Sequence, residues 1–460
     1  MTVRLPVLDD RGHGSLRGDG SRIKVVPADV HGRFNNVRRV MFAVLGVIYV
    51  ALPFIQVGGH PAVLLDIQHR KFYLFGSVFN AQDTWLVFFL LSGGAFSLVV
   101  VAALFGRVWC GYACPQTVFL EGLFRPIERF FEGPRAAHLR RDQEGVSFSR
   151  IARKTAKHAF FVITALILAH LFVSYFVSTP LIFAMMKGPP SAHWEAFAWA
   201  FGLAGILYFN FAWFREQFCV VMCPYGRLQS ALGDADTIVV GYDTNRGEPR
   251  GKAKDAGAGA CVDCMRCVVV CPTGIDIRNG QQLDCIGCSA CVDACDEIMD
   301  SLKRPRGLVR YDSLNGFAGN ARRFLRPRVA LYAGLLAAGA VALFVATQNH
   351  HSVEANLIRL AGAPYTIERG IVRNSYELHL VNKRNDTATF ALEPSSEYTF
   401  VILKPRVVLQ PLEDVRIPIF ASLPEARARA HSVVRLRVRI EGHEQDSFNI
   451  SAPFLTPVDQ

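Results

Sequence analysis

No cysteine precedes residue 110 or follows residue 295; all twelve lie between these limits. The end of the chain therefore has no thiol chemistry, and it holds no catalytic constellation either. Charge is also scarce. Asp, Glu, Lys and Arg make up 19% of 460 residues, against 51% hydrophobic residues with 34 phenylalanines and a mean hydropathy of +0.23. That balance points to several membrane spans in a multi-domain chain. There is no Gly-rich dinucleotide fingerprint, which argues against direct use of a nicotinamide or flavin cofactor. The net charge of +11 comes without an aromatic-basic pattern. It therefore argues for basic loops beside a membrane and against nucleic-acid binding. Residues 1–39, rich in Gly, Arg and Asp, lack an apolar run and a small-residue cleavage pattern. They read as a flexible cytoplasmic tail and not as a secretory signal.

Apolar stretches close to the length of a bilayer crossing lie at 40–57, 85–105, 159–177, 194–213 and 329–346. The fourth is the weakest, carrying Glu195 and Asn210 near its ends. Gly202 and Gly205 in that span suggest close helix packing, and His170 in the third suggests a buried hydrogen bond more than a haem ligand. Arg and Lys crowd the tail and the stretches 107–157 and 215–328, while the loops 58–84 and 178–193 hold only Arg70, Lys71 and Lys187. The positive-inside rule then predicts an internal N-terminus and an external C-terminus. The segment 67–75 suggests a short external hairpin, and 119–131 an amphipathic run along the inner face of the membrane.

The densest signal runs from Cys261 to Cys295. Cys261, Cys264, Cys267 and Cys271, then Cys285, Cys288, Cys291 and Cys295, each follow C-x2-C-x2-C-x3-C, the run of bacterial two-cluster ferredoxins. Three close thiolates suit one face of a 4Fe–4S cubane, and the fourth reaches the other cluster. Cluster one is expected on Cys261, Cys264, Cys267 and Cys295, and cluster two on Cys285, Cys288, Cys291 and Cys271. Structural zinc usually pairs two C-x2-C knuckles, and a disulfide framework would not need this spacing. Open thiolates suit a reducing compartment, so the module is expected in the cytoplasm, in agreement with the loop charges. The polar stretch 243–260 reads as a linker into the module.

The other four cysteines form two matched pairs, Trp109-Cys110-Gly-Tyr-Ala-Cys114-Pro115 and Phe218-Cys219-Val-Val-Met-Cys223-Pro224, each after the second span of a hairpin. This is an internal repeat. On a helix, positions i and i+4 share a face, so each pair is expected to present two thiols together and the two pairs to converge. Soft thiolates suit cuprous copper, zinc or iron–sulfur clusters. Copper, a third cluster and redox-active dithiols all remain open on spacing alone. Arg107, Glu121, Arg215 and Glu216 read as interfacial charges. Beyond the last span, short alternating runs such as 376–380 and 434–440 predict a small all-β sandwich that binds or scaffolds. His350 and His351 read as solvated histidines.

Taken together, the spans, the paired motifs and the cluster module resemble the cytochrome c oxidase accessory proteins of the CcoG, FixG and RdxA type, polyferredoxin-like bacterial inner-membrane proteins. Cys271-Pro-Thr-Gly-Ile-Asp276 and Asp293-Ala-Cys295-Asp-Glu297 are among the matching residues, and Asp296 stands where a generic ferredoxin has proline. The resemblance implies a five-span helical bundle with an inserted two-cluster ferredoxin module and a periplasmic immunoglobulin-like domain. The expected segments are 40–242 for four spans, 243–328 for the module, 329–347 for the fifth span and 348–460 for the β-domain. It further implies reduction of cupric to cuprous copper, with Cys110, Cys114, Cys219 and Cys223 as the metal site. The copper would serve a cbb(3)-type oxidase with help from a P-type ATPase. The electron donor is not readable. Two other readings stand beside this one: electron transfer to quinone or another respiratory partner, and a binding-only assembly scaffold.

Overall fold

The computed structural model describes residues 24–68, 71–80, 84–143, 145, 147–255, 257–348, 353–384, 386–410, 413–427 and 432–457. His350 and His351 lie outside these. Contacts divide the chain into two units, Met1–Phe344 and Val345–Gln460.

In the first unit, five of the described helices are long and apolar enough to cross a membrane: Arg33–Ala51, Val87–Phe105, Phe148–Val173, Pro190–Phe214 and Pro327–Val345. Most of their apolar side chains face outward, as lipid contact requires. Helices Phe148–Val173 and Trp194–Phe209 pack together. Their inward small residues are Ala165 and Ala169 on one and Ala200 and Ala204 on the other. A side-chain carbon at Gly202 or Gly205 would meet no described atom, so the close-packing role falls to the alanines instead. His170 bonds the Leu166 carbonyl of its own helix at 2.8 Å.

Several sequence expectations change. The first apolar helix begins at Arg33, and residues 24–36 lie against the ferredoxin module rather than forming a loose tail. The Ala28 amide donates to the Val269 carbonyl at 3.0 Å. The Phe34 and Asn35 amides donate to the Asp293 carboxylate at 3.3 and 2.8 Å. Asp293, from the cluster helix, thus caps the first turn of a membrane helix. Of the segment 67–75, Lys71–Leu74 is the middle strand of a three-stranded meander with Val63–Asp66 and Ser77–Asn80, and residues 69–70 lie outside the described residues. The segment 119–131 is helical and two-faced: Phe124, Arg125 and Glu128 are buried against the protein, while Leu123 and Phe130 are exposed.

The stretch 243–260 is not a free linker. Strand Val239–Tyr242 pairs antiparallel with Val309–Asp312, so the chain enters and leaves the ferredoxin module side by side. Arg310 bonds Asp243 at 2.6 Å, and the Ala260 amide reaches the Arg246 carbonyl at 2.9 Å.

The second unit is a β-sandwich. One sheet orders Thr399–Ile402, Asp414–Pro424, Ile371–Asn382 and Val353–Arg359, with Thr366–Glu368 also on Ile371–Asn382. The other orders Arg406–Leu409, Ala388–Pro394, Ser432–Ile440 and His443–Phe454. Alternate residues point inward, as the strand period requires: Val372, Tyr376, Leu378 and Leu380 from one sheet, and Val434, Leu436 and Val438 from the other.

Candidate functional site

The two cysteine runs of the ferredoxin module share one local backbone. In the first, Asp263 and Met265 flank Cys264 with φ of 52° and 57°. In the second, Gly287 and Ser289 flank Cys288 with φ of 65° and 60°. Left-handed residues other than glycine are uncommon, and they recur where a fold over-determines a functional loop. Each turn curls three thiols around one centre and enters a helix, Arg266–Val269 or Ala290–Ser301; the fourth cysteine follows just after the first helix, at Cys271, and lies within the second, at Cys295.

Two cavities result. One is lined by Cys261, Cys264, Cys267 and Cys295. The other is lined by Cys271, Cys285, Cys288 and Cys291. The structure thus groups the eight cysteines in the crossed sets expected from spacing. Burial pushes the thiols of Cys267, Cys295 and Cys285 up to about 12. Buried thiols of this kind become thiolates when a metal charge replaces the proton. Four soft donors around each cavity fit a 4Fe–4S cluster.

The paired motifs are also brought together, but not by the helical geometry expected. Cys110 lies in the short helix Val108–Tyr112, and Cys114 is extended (φ −63°, ψ 126°) ahead of Pro115, which opens the next helix. Cys219 lies in a π-helical turn, Phe218–Met222, and Cys223 is extended (φ −70°, ψ 111°) ahead of Pro224. Each proline breaks the helix because the residue before it is driven out of the helical region. The pairs therefore converge through a helix–break–helix turn and not as i,i+4 neighbours. The breaks are alike in the two copies, while the backbone leading into them differs. Arg215 is left-handed at φ 53°, and π-helical turns run through Asn210–Phe214 and Phe218–Met222.

The four thiols act on one another. Burial pushes Cys219 up to about 12, and the neighbouring Cys114, Cys110 and Cys223 add to it. Burial likewise raises Cys110 to about 11, against an opposing hydrogen bond from Gln229. The Gln229 amide nitrogen lies 3.5 Å from the Cys110 sulfur, so the second repeat reaches across to the first. Tyr225 is raised by burial and by Cys110, Cys114 and Cys223, and it donates to the Leu98 carbonyl at 3.2 Å. The buried Gln116 pairs with Asn210 at 2.7 Å and donates to the Arg215 carbonyl at 3.1 Å. None of Gln229, Tyr225 or Gln116 was singled out from sequence. The only signal for the first two is that they follow Pro224 within one short helix.

Of the expected interfacial charges, Arg107 and Glu121 are part-buried and two are interior. Arg215 and Glu216 are buried, and Arg125 pairs with Glu121 at 2.7 Å and Glu216 at 3.7 Å. Arg215 pairs with Glu128 at 2.9 Å, and Lys157 with Glu132 at 2.9 Å. Burial opposes ionisation of Glu128, but Arg215, Lys157 and Arg125 outweigh it and hold its carboxyl at about 2. Glu128, Glu132 and His138 converge closely enough to hold a cation. Arg215, Lys157 and Lys24 already supply positive charge to these three, so the group is an ion network.

Residues 214–314 match the family described as "4Fe-4S dicluster domain", 85–134 the "4Fe-4S binding domain" family, and 343–457 the "IG-like fold at C-terminal of FixG". Protein RdxA of Cereibacter sphaeroides is 36% identical over 81% of this chain and 82% of its own length. Nitrogen fixation protein FixG of Rhizobium meliloti is 36% identical over 81% of this chain and 79% of its own. Ferredoxin-type protein NapH of Haemophilus influenzae is 26% identical over 45% of this chain and 66% of its own. The apolar helices and this kinship make the protein an inner-membrane protein, and the cluster domains make it an iron–sulfur electron carrier. The chain belongs to the FixG and RdxA family of polyferredoxin-like membrane proteins.

Proposed function

We propose that this protein reduces cupric to cuprous ion at Cys110, Cys114, Cys219 and Cys223, and that the product serves assembly of a cbb(3)-type cytochrome oxidase. The observation that carries the reading is the meeting of four part-buried thiols from two repeats beside the ferredoxin module. Iron–sulfur clusters of the module, when bound, supply electrons one at a time. The substrate step is balanced by one such electron, cupric ion becoming cuprous. Soft thiolates favour the cuprous product over the cupric substrate. Burial leaves the Cys110 and Cys219 thiols protonated until a metal arrives, so binding releases protons and tightens as pH rises. Gln229 orients the Cys110 sulfur, and the two Cys-Pro turns hold the other sulfurs in place. Delivery onward through a copper-transporting P-type ATPase is part of the proposal. So is the orientation, with the ferredoxin module in the cytoplasm and the β-sandwich in the periplasm, which the loop charges support.

The test is anaerobic. Purified protein with reduced clusters should convert cupric ion to a species trapped by a cuprous-specific chelator. The double variants Cys110→Ser/Cys114→Ser and Cys219→Ser/Cys223→Ser should lose this while keeping their iron. Equal yields from wild type and both variants would remove the four cysteines from the chemistry. A second reading is favoured by the match of 85–134 to a family described as binding 4Fe–4S, since the cysteines in that stretch are Cys110 and Cys114. In that reading the four thiols hold a third cluster and pass electrons to quinone or another respiratory partner. Iron analysis separates the two: about eight iron atoms per chain for two clusters and about twelve for three.

A further inference from the structure

The two cluster loops share a backbone but not an environment. Around the first, Asp263 and Cys264 are exposed and Met265 is 41% exposed. Around the second, every residue from Ile286 to Ala290 is buried, with Ser289 at 1%. What covers the second loop is the first Cys-Pro motif. A side-chain carbon on Gly111 would lie 2.8 Å from the Gly287 carbonyl oxygen and 2.9 Å from the Cys288 Cα. One on Gly287 would lie 2.9 Å from the Arg107 carbonyl oxygen. Both glycines are thus needed for backbone to touch backbone, one beside Cys110 and the other beside Cys288. Gly287 also sits at positive φ, where the first loop accommodates the exposed Asp263, which pairs with Arg278.

Arg107 fastens this contact. Its guanidinium donates to the Cys285 carbonyl at 3.3 Å and to the Gly226 carbonyl at 2.6 Å. One side chain from the first repeat therefore holds the second cluster loop and the helix that carries Gln229. Arg38 adds a bond to the Gly111 carbonyl at 3.1 Å, and Tyr112 reaches Ser289 at 3.4 Å.

We infer that the four-cysteine site receives its electron from the cluster held by Cys271, Cys285, Cys288 and Cys291. The cluster on Cys261, Cys264, Cys267 and Cys295 stands on the solvent side, and Arg107 is the positioning residue that keeps the inner loop against the site. This rests on the four-cysteine site binding a metal. In the step, the inner cluster is oxidised by one electron and the bound cupric ion is reduced by one. No bond to Arg107 is made or broken.

The test uses the full chain with both clusters reduced and Co(II), a thiol-seeking paramagnet that such clusters do not reduce, at the four cysteines. Bound Co(II) should speed the spin relaxation of one cluster EPR signal, read by power saturation. That signal should be the one left unaltered by Cys264→Ser, which changes an exposed ligand of the outer cluster. Arg107→Gln and Gly287→Ala should each weaken the effect and slow single-turnover reoxidation of the clusters by cupric ion roughly tenfold, with iron per chain unchanged. Enhancement of the outer signal, equal enhancement of both, or indifference to both variants would overturn the inference while leaving the metal site intact. Failure of Co(II) to bind would instead overturn the four-cysteine reading on which it rests.

Discussion

Arg215 and Glu128 show why single charges matter in this protein. Both are buried and face each other at 2.9 Å. Arg215→Met removes the main counter-charge and leaves a carboxylate in a water-poor interior. Breaking such a pair costs roughly 3–5 kcal/mol, and thermal unfolding in detergent should show a clear loss of stability. The pH dependence has a definite sign. Glu128 is held at about 2, below its ordinary value of 4.5. Its contribution to stability is therefore complete above pH 4.5 and lost as pH falls toward 2. Glu128→Gln should flatten this acid limb, and a limb unchanged in the variant would assign the acid sensitivity elsewhere. In the sandwich, Tyr376→Phe removes the bond from the buried hydroxyl to the Pro453 carbonyl at 2.9 Å. Leaving that carbonyl without its donor should cost the β-domain about 1 kcal/mol, measurable by its unfolding transition in the full chain.

The Cys-Pro turns matter at the scale of an element. Cys114 and Cys223 are extended because a proline follows, and each proline then starts the next helix. Pro224→Ala relaxes that restriction and lets helix continue through Cys223, which would carry its sulfur off the convergence point. Cuprous affinity, measured by competition with a chelator, should fall roughly tenfold or more, since a displaced ligand is lost from the set. An unchanged affinity would mean that the surrounding packing, and not the proline, sets the turn. The spacing of the cysteines carried their grouping around two cavities because the fourth cysteine of each run is placed locally, just after a short helix at Cys271 and within a helix at Cys295. It did not carry the geometry of the paired motifs. There an i,i+4 reading assumed continuous helix, and the pre-proline restriction at Cys114 and Cys223 overrode it.

On the scale of the whole molecule, the ferredoxin module is not a domain on a tether. Strands Val239–Tyr242 and Val309–Asp312 close it, Asp293 caps the first membrane helix, and Arg125 donates to the Pro272 carbonyl at 3.0 Å. The β-sandwich has its own core. Removing iron with a chelator under oxidising conditions should therefore abolish hydrogen-exchange protection across 261–301 and weaken it at 33–36, while leaving 371–382 and 432–440 as protected as before. Loss of protection in the sandwich would contradict the independence of the two units.

Local spacing and composition were enough to determine the grouping of the eight cysteines around two cavities, the apolar helices and the alternating strands. Each is written in residues close together in the chain, where turn geometry or strand period converts sequence directly into placement. The tertiary structure alone decided which cluster loop faces the four cysteines. Asp263 and Gly287 both occupy the same left-handed position in matching loops. Only the approach of Arg107 and Gly111, more than a hundred residues away in the chain, leaves no room for a side chain in the second. That preference arises from packing between distant segments, and no local rule of spacing contains it.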